Sequence, residues 1–264
     1  MRRLRRSVLL VILYTRLNLA GHMEFRAAFF SQTLGMIANN ALSLAFWTLY
    51  FAQFPRVSGW TLPDVVRVWA VVAGGFGLSN ALFGNGRFIA QIIAQGQLDY
   101  YLLLPEDPLL HLLVSRMGLA SWGDFLFGVL AFAIVGPWTP GALALYLVLL
   151  GTACAILTAY WSLVGTLAFW LGNADALSTQ ATNALINFST YPGGIFRGLA
   201  RLLTFTLLPA AFVGHLPAQL LRAPNAADLG AVLAFAVASC ALAWLLFRLG
   251  LRRYQSGNLV ALRG

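Results

Sequence analysis

The side chains able to do chemistry in this 264-residue chain are few and scattered. His22, His111 and His215 each stand alone, so no H-E-x-x-H or other zinc-ligand spacing forms. Lysine is absent throughout, which excludes a G-x-x-x-x-G-K-[ST] phosphate loop, and no G-x-S-x-G elbow occurs. Glu106 and Asp107 are adjacent carboxylates in a turn flanked by Pro105 and Pro108. An acid–base dyad needs a dry cleft, so this pair reads as an exposed acidic turn. Asp124 is the one acid well inside an apolar run, and an intramembrane charge flags function by default. It also falls within the first two turns of its helix, where water or Arg116 can satisfy it. Cys154 and Cys240 sit in apolar runs and behave as small hydrophobes. No catalytic, cofactor-binding or metal-ligating residue is expected.

What positions these residues is a membrane-grade chain. Hydrophobic residues make up 60%, charged residues 9%, and the mean hydropathy is +0.78; a soluble domain carries about 25% charged residues. The length holds about six spans of ~20 residues and leaves no room for a separate catalytic or nucleotide-binding domain. A net charge of +9 comes from arginines at the ends of apolar runs, a distribution that fits topology and lipid headgroups rather than nucleic acid. The fold class is therefore an all-α integral membrane protein.

Residues 1–26 read as an amphipathic interfacial helix, with Arg2, Arg3, Arg5 and Arg6 near anionic lipid, and 27–264 as one transmembrane domain. Spans are expected at about 27–54, 65–83, 117–135, 142–171, 176–190 and 229–249. Gly74, Gly75 and Gly77 in the second permit close helix contact, whereas G-x-x-x-G at Gly194–Gly198 is a weak packing signal against which chance competes. Asn39, Asn40, Asn183 and Asn187 should face protein or a pathway, because an unpaired amide in hydrocarbon costs several kcal/mol by order of magnitude. Between 191 and 224, prolines and arginines interrupt the apolar pattern. Two short re-entrant helices satisfy that backbone better than a crossing.

Arginine counting orients the chain. With both termini inside, twelve arginines (2, 3, 5, 6, 16, 26, 87, 116, 248, 252, 253, 263) face the cytoplasm and five (56, 67, 197, 201, 222) face out. Residues 84–116, the longest polar interruption, then form a cytoplasmic loop. Phe88, Ile89, Ile92 and Ile93 recur at helical spacing with Arg87, Gln91 and Gln95 elsewhere on the wheel, so 86–95 is expected as a short amphipathic helix ended by Gly96.

The segments GQLDYYLLLP, YPGGIF followed by TFTLLPAAFVGHLPAQLL, and RYQSGNL resemble the permease subunits of ATP-binding-cassette transporters of the type-2 exporter class, in a bacterial, drug-exporter-like branch. The resemblance implies six spans with an N-terminal interfacial helix, a cytoplasmic coupling helix and re-entrant helices before the last span. It also implies a pair of permease subunits, alike or different, docked on an ATPase dimer that carries ATP and Mg²⁺, in the bacterial plasma membrane. Arg87, Asp99, Glu106 and Asp107 are then the candidate contacts to the ATPase. Asn39, Asn40, Asn183 and Asn187 are candidates for the pathway or the subunit contact. The alternative is a stand-alone secondary transporter or membrane enzyme, which would ordinarily carry more buried ionisable residues than Asp124.

Overall fold

A computed structural model describes residues 2–254. The side chains of Arg2 and Arg3, the RYQSGNL stretch beyond Tyr254, and Arg263 lie outside the described residues. Among those described there is helix and turn with no strand, save an isolated bridge between Val57 and Trp60.

Helix α1 (Arg2–Glu24) is followed after one residue by α2 (Arg26–Gln53). Next come α3 (Leu62–Phe83) and the short helices α4 (Ile89–Ala94), α5 (Leu98–Leu102) and α6 (Pro108–Val114). Then follow α7 (Ser121–Val135), α8 (Pro140–Thr166), the single turn α9 (Ala168–Leu171) and α10 (Asp175–Thr190). Finally α11 (Gly198–Phe205) and α12 (Leu216–Arg222) precede α13 (Ala226–Leu251). On length and composition, Leu62–Ala94, Pro140–Leu171 and Ala226–Leu251 can cross a membrane. The amides of α2 and α10 lower their hydropathy, and α7 has only 15 residues, about 22 Å at helical rise.

Starts and stops follow local chemistry. Thr61 and Asp64 form a reciprocal capping box at the start of α3, with Pro63 in its first turn. Thr139 caps α8 and Asn225 caps α13. Among the expected spans, two boundaries shift by more than three residues. The span predicted from 117 begins at Ser121, because 115–120 runs as a turn against α3, with the Gly118 N–H donating to the Asn80 carbonyl. The long span predicted to 171 breaks at Leu167 into α8 and α9.

Helix α3 is central, packed along α7 and α8, while α8 also packs on α13 and α2 lies along α7. Glycines set this closeness. A side chain at Gly77 would strike the α7 backbone at Ser121 and Phe125, one at Gly128 would strike Gly74, and one at Gly75 would meet the Ala153 methyl of α8 at 2.5 Å. The core formed around them includes Val65, Trp69, Phe132, Tyr146, Leu157 and Trp161. The Gly194–Gly198 pattern is not a helix seam. Gly194 packs on Ser58 and Trp60, and Gly198 takes a left-handed φ of 53° with open space around it.

Candidate functional site

The Gly84–Arg116 stretch folds into a compact handle at one end of the bundle. Its first residues form a 3-10 turn (Gly84–Phe88), so regular α-helix begins only at Ile89, three residues later than the wheel predicts. The faces are as expected: Ile89, Ile92 and Ile93 are buried, and Gln91 and Gln95 are exposed. At the helix end Gly96 adopts φ 71°, and the N–H groups of Gly96 and Gln97 return to the carbonyls of Ile93 and Ile92, a Schellman closure. The buried isoleucines join Leu98, Leu109, Leu112, Ala168 and Phe247 in a second core under the handle. Gly165 lets Ile89 approach the α8 backbone.

Asn85 is the knot of this assembly. Buried to 5% exposure, its amide nitrogen reaches the Leu112 carbonyl (2.9 Å), Ser115 Oγ (2.8 Å) and the Tyr101 hydroxyl (3.2 Å). Sequence reasoning missed it; the available signal was a polar residue held between Gly84 and Gly86.

The handle is clamped from two sides. On one side α1 presents Tyr14, Asn18 and His22, spaced four apart and so on one face. The Tyr14 hydroxyl lies 3.3 Å from His111 Nδ1, the Asn18 amide donates to the Val114 carbonyl at 3.2 Å, and the His22 Nε2–H donates to the Met117 carbonyl at 3.3 Å. On the other side Asp107 works twice. Its Oδ1 accepts the Leu109 and Leu110 N–H groups and caps α6, while its Oδ2 accepts Arg248 Nη2 at 3.0 Å and Trp244 Nε1 at 3.2 Å from α13. Burial opposes ionisation of Asp107. The hydrogen bonds from Arg248, Trp244 and the Leu110 N–H outweigh it and hold the carboxyl below the usual carboxylate range.

Of the four polar residues expected to contact an ATPase, two therefore have partners within the chain. Asp107 is joined to α13, and Asp99 is coupled to Tyr254, whose phenol burial and Asp99 together push up to about 12. Arg87 is exposed, with its guanidinium carbon 5.7 Å from the Phe76 ring centroid, and it interacts electrostatically with Asp124. Glu106 is half-buried beside a strongly exposed apolar tip, Tyr100 at 64% and Leu103 at 86%.

Asp124 and Asn40, predicted separately, come together: the Asn40 amide donates to Asp124 Oδ1 at 2.7 Å, and both are buried. Asp124 stands in the first turn of α7, where an anion is favoured, and Asn40 rather than Arg116 satisfies it. Arg116 instead stacks 4.5 Å over the Phe88 ring. Asn39 faces outward and only reaches Met36 Sδ at 3.9 Å on its own helix. Asn183 and Asn187, one turn apart on α10, are exposed, and among the described residues their amide side chains have no hydrogen-bond partner. No cluster that could hold a metal occurs among the described residues.

The fold and the apolar helices define a multi-pass, all-helical membrane protein. The chain belongs to the ABC-2 transporter family: the model described as "ABC-2 family transporter protein" matches residues 37–258. It is a permease subunit of an ATP-binding-cassette transporter, a transport subunit whose family associates with an ABC ATPase. No curated protein and no solved structure matches it.

Proposed function

We propose that this permease exports a hydrophobic or amphipathic substrate across the bacterial plasma membrane, with six spans and both termini in the cytoplasm. A separate ATPase dimer that binds ATP and Mg²⁺ docks on the handle. The observation that carries the reading is the double clamp: displacing the handle must move α1 through Tyr14, Asn18 and His22, and α13 through Asp107. Arg87, Glu106 and the Tyr100–Leu103 tip supply the docking face. Asp107, and Asp99 through Tyr254, hold the joint that passes the push on.

A second permease subunit, identical or different, covers the outward amides of α2 and α10. Asn39, with only a weak contact to Met36 Sδ, and Asn183 and Asn187 support this, since poorly satisfied amides in lipid are costly and a neighbouring subunit or a wet pathway removes the cost. Satisfaction of Asp124 by Asn40 leaves it no need of ion coupling, which weighs against a secondary transporter.

The test is co-purification with a co-expressed ATP-binding-cassette ATPase partner. Glu106→Arg and Arg87→Glu should each weaken the complex while membrane insertion stays intact. Unchanged co-purification and transport in both variants would remove the handle from the docking role.

A further inference from the structure

At the end of the bundle opposite the handle, residues 191–224 enclose a cavity of about 360 Å³ lined by Trp60, Phe196, Arg197, Arg201, His215 and Gln219. Its walls are fixed by the backbone. The His215 Nε2–H is shared between the Phe188 and Tyr191 carbonyls at 3.1 Å each, its ring stacks on Phe196, and Gly193 and Gly194 lie too close to His215 and Trp60 to carry a side chain. Its cations are not fixed in this way. Among the described residues neither Arg197 nor Arg201 has an ion-pair partner. The carboxylate across Trp60 and Gln219, Asp64, is already taken by Arg67 at 2.9 Å and Arg222 at 3.4 Å.

The start of α11 and the residue before it bring both arginines to this cavity. Arg201, Thr204 and Phe205 share one face of α11, Arg197 is the extended residue just before the helix and lines the same cavity, and Leu199 and Leu202 stand exposed on the other face. Two guanidiniums lining one cavity, with the Gln219 amide as a further donor, match the oxygens of a phosphate group. Beyond the Phe205–Thr206 corner lies an apolar groove of about 410 Å³, lined by Leu163, Leu207, Pro209, Phe235, Leu242 and Leu246. From Phe235 to Leu246 along α13 it extends ~17 Å at helical rise, the length of an acyl chain rather than of a small ion. Phe212 links the two spaces, 5.7 Å from the Phe205 ring and stacked 4.0 Å from Phe235.

We propose that Arg197 and Arg201 form a binding site for a phosphate group, carried by an amphiphile whose chain lies in the adjoining groove. The site does not depend on the docking role of the handle or on which side of the membrane this end faces.

Native mass spectrometry of the full chain released from neutral detergent tests it, with phosphatidylglycerol as probe and diacylglycerol as the lipid without phosphate. Phosphatidylglycerol should be retained over diacylglycerol, and Arg197→Gln/Arg201→Gln should lower that retention by roughly tenfold or more. Arg56→Gln, at the same end but outside the cavity, should leave it unchanged. Displacement by millimolar inorganic phosphate would extend the site to soluble phosphates, and retention against it would restrict the site to lipid; both uphold a phosphate at the arginines. Equal retention of the two lipids by the wild-type chain overturns the proposal even if the double variant does not fold. A double variant that binds as wild type, or an Arg56→Gln loss as large as the double variant's, overturns it as well.

Discussion

Asp64 and Asp107 perform the same two tasks at opposite ends of the molecule. Each caps a helix and each receives an arginine from far along the chain, Arg222 for Asp64 and Arg248 for Asp107. Their surroundings differ. The Asp64 side chain is 7% exposed and also holds Arg67, so it belongs to the bundle interior; that of Asp107 is 29% exposed and lies beside the handle's outward face. Ion pairs gain little at a surface and cost much when broken inside. The buried aspartate therefore fixes the fold of its end, while the half-exposed one, in the proposed coupling, is the joint that motion loads.

Breaking the buried tie should have the largest effect. Asp64→Ala removes the α3 capping box and leaves the partly buried Arg67 guanidinium unpaired, at a cost of about 3 kcal/mol. Thermal unfolding in detergent should show a marked fall in Tm, and an unchanged Tm would remove the distinction drawn between the two ends. Asp64→Asn, which can still cap, should lose less.

Breaking the exposed tie should cost about 1–2 kcal/mol, mostly the α6 cap, because the Arg248 pair is screened by solvent. Its larger consequence should be functional. In the reconstituted transporter, Asp107→Ala should reduce coupled transport far more than it reduces Tm, with the ATPase still bound. Loss of both in proportion would make Asp107 a structural cap alone.

The handle should also respond to acid. Burial lowers the pKa of His111 below the ordinary histidine value, against the opposing pull of Glu106 and Asp107. The unfolded chain therefore binds this proton at a higher pH than the folded one. The His111 contribution to stability is complete above about pH 6.5 and is lost as pH falls below it. His111→Gln should flatten the acid limb of a Tm against pH curve below about pH 6.5; an identical limb in both proteins would exclude His111 as its source.

How far residue order alone could lead differs between the ends for a physical reason. Periodicity and length showed the helical class, the glycine seam of α3, the inward isoleucines of α4 and the stop at Gly96, because each depends on neighbours within a few residues. The ties were not visible. Nothing local to Asp107 announces Trp244 and Arg248, and nothing near Asn40 announces Asp124, since those partners arrive only through the packing of α13 and α7. Asn85, Tyr14, Asn18 and His22 were silent about their targets, most of them backbone carbonyls that carry no side-chain signature and the rest side chains brought near only by packing. Arg197 and Arg201 appeared only as interruptions of an apolar run. Folding brings both to the wall of one cavity.

The smallest effect on stability, and the sharpest on the comparison, comes from two exposed leucines. Leu103 at the handle tip and Leu199 on α11 are 86% and 70% exposed, so replacing either leaves the core untouched and should change stability by no more than ~0.5 kcal/mol. Their partners should differ all the same. With Cys154 and Cys240 replaced by alanine, a fluorophore at Leu103→Cys should be shielded by the ATPase and indifferent to a quencher carried in the lipid tails. The same fluorophore at Leu199→Cys should be quenched by the lipid and indifferent to the ATPase. An apolar side chain exposed on a single chain must be covered by something in the assembled membrane protein. If both labels answer to lipid alone, the handle tip lies on the bilayer and the docking face contracts to Arg87 and Glu106.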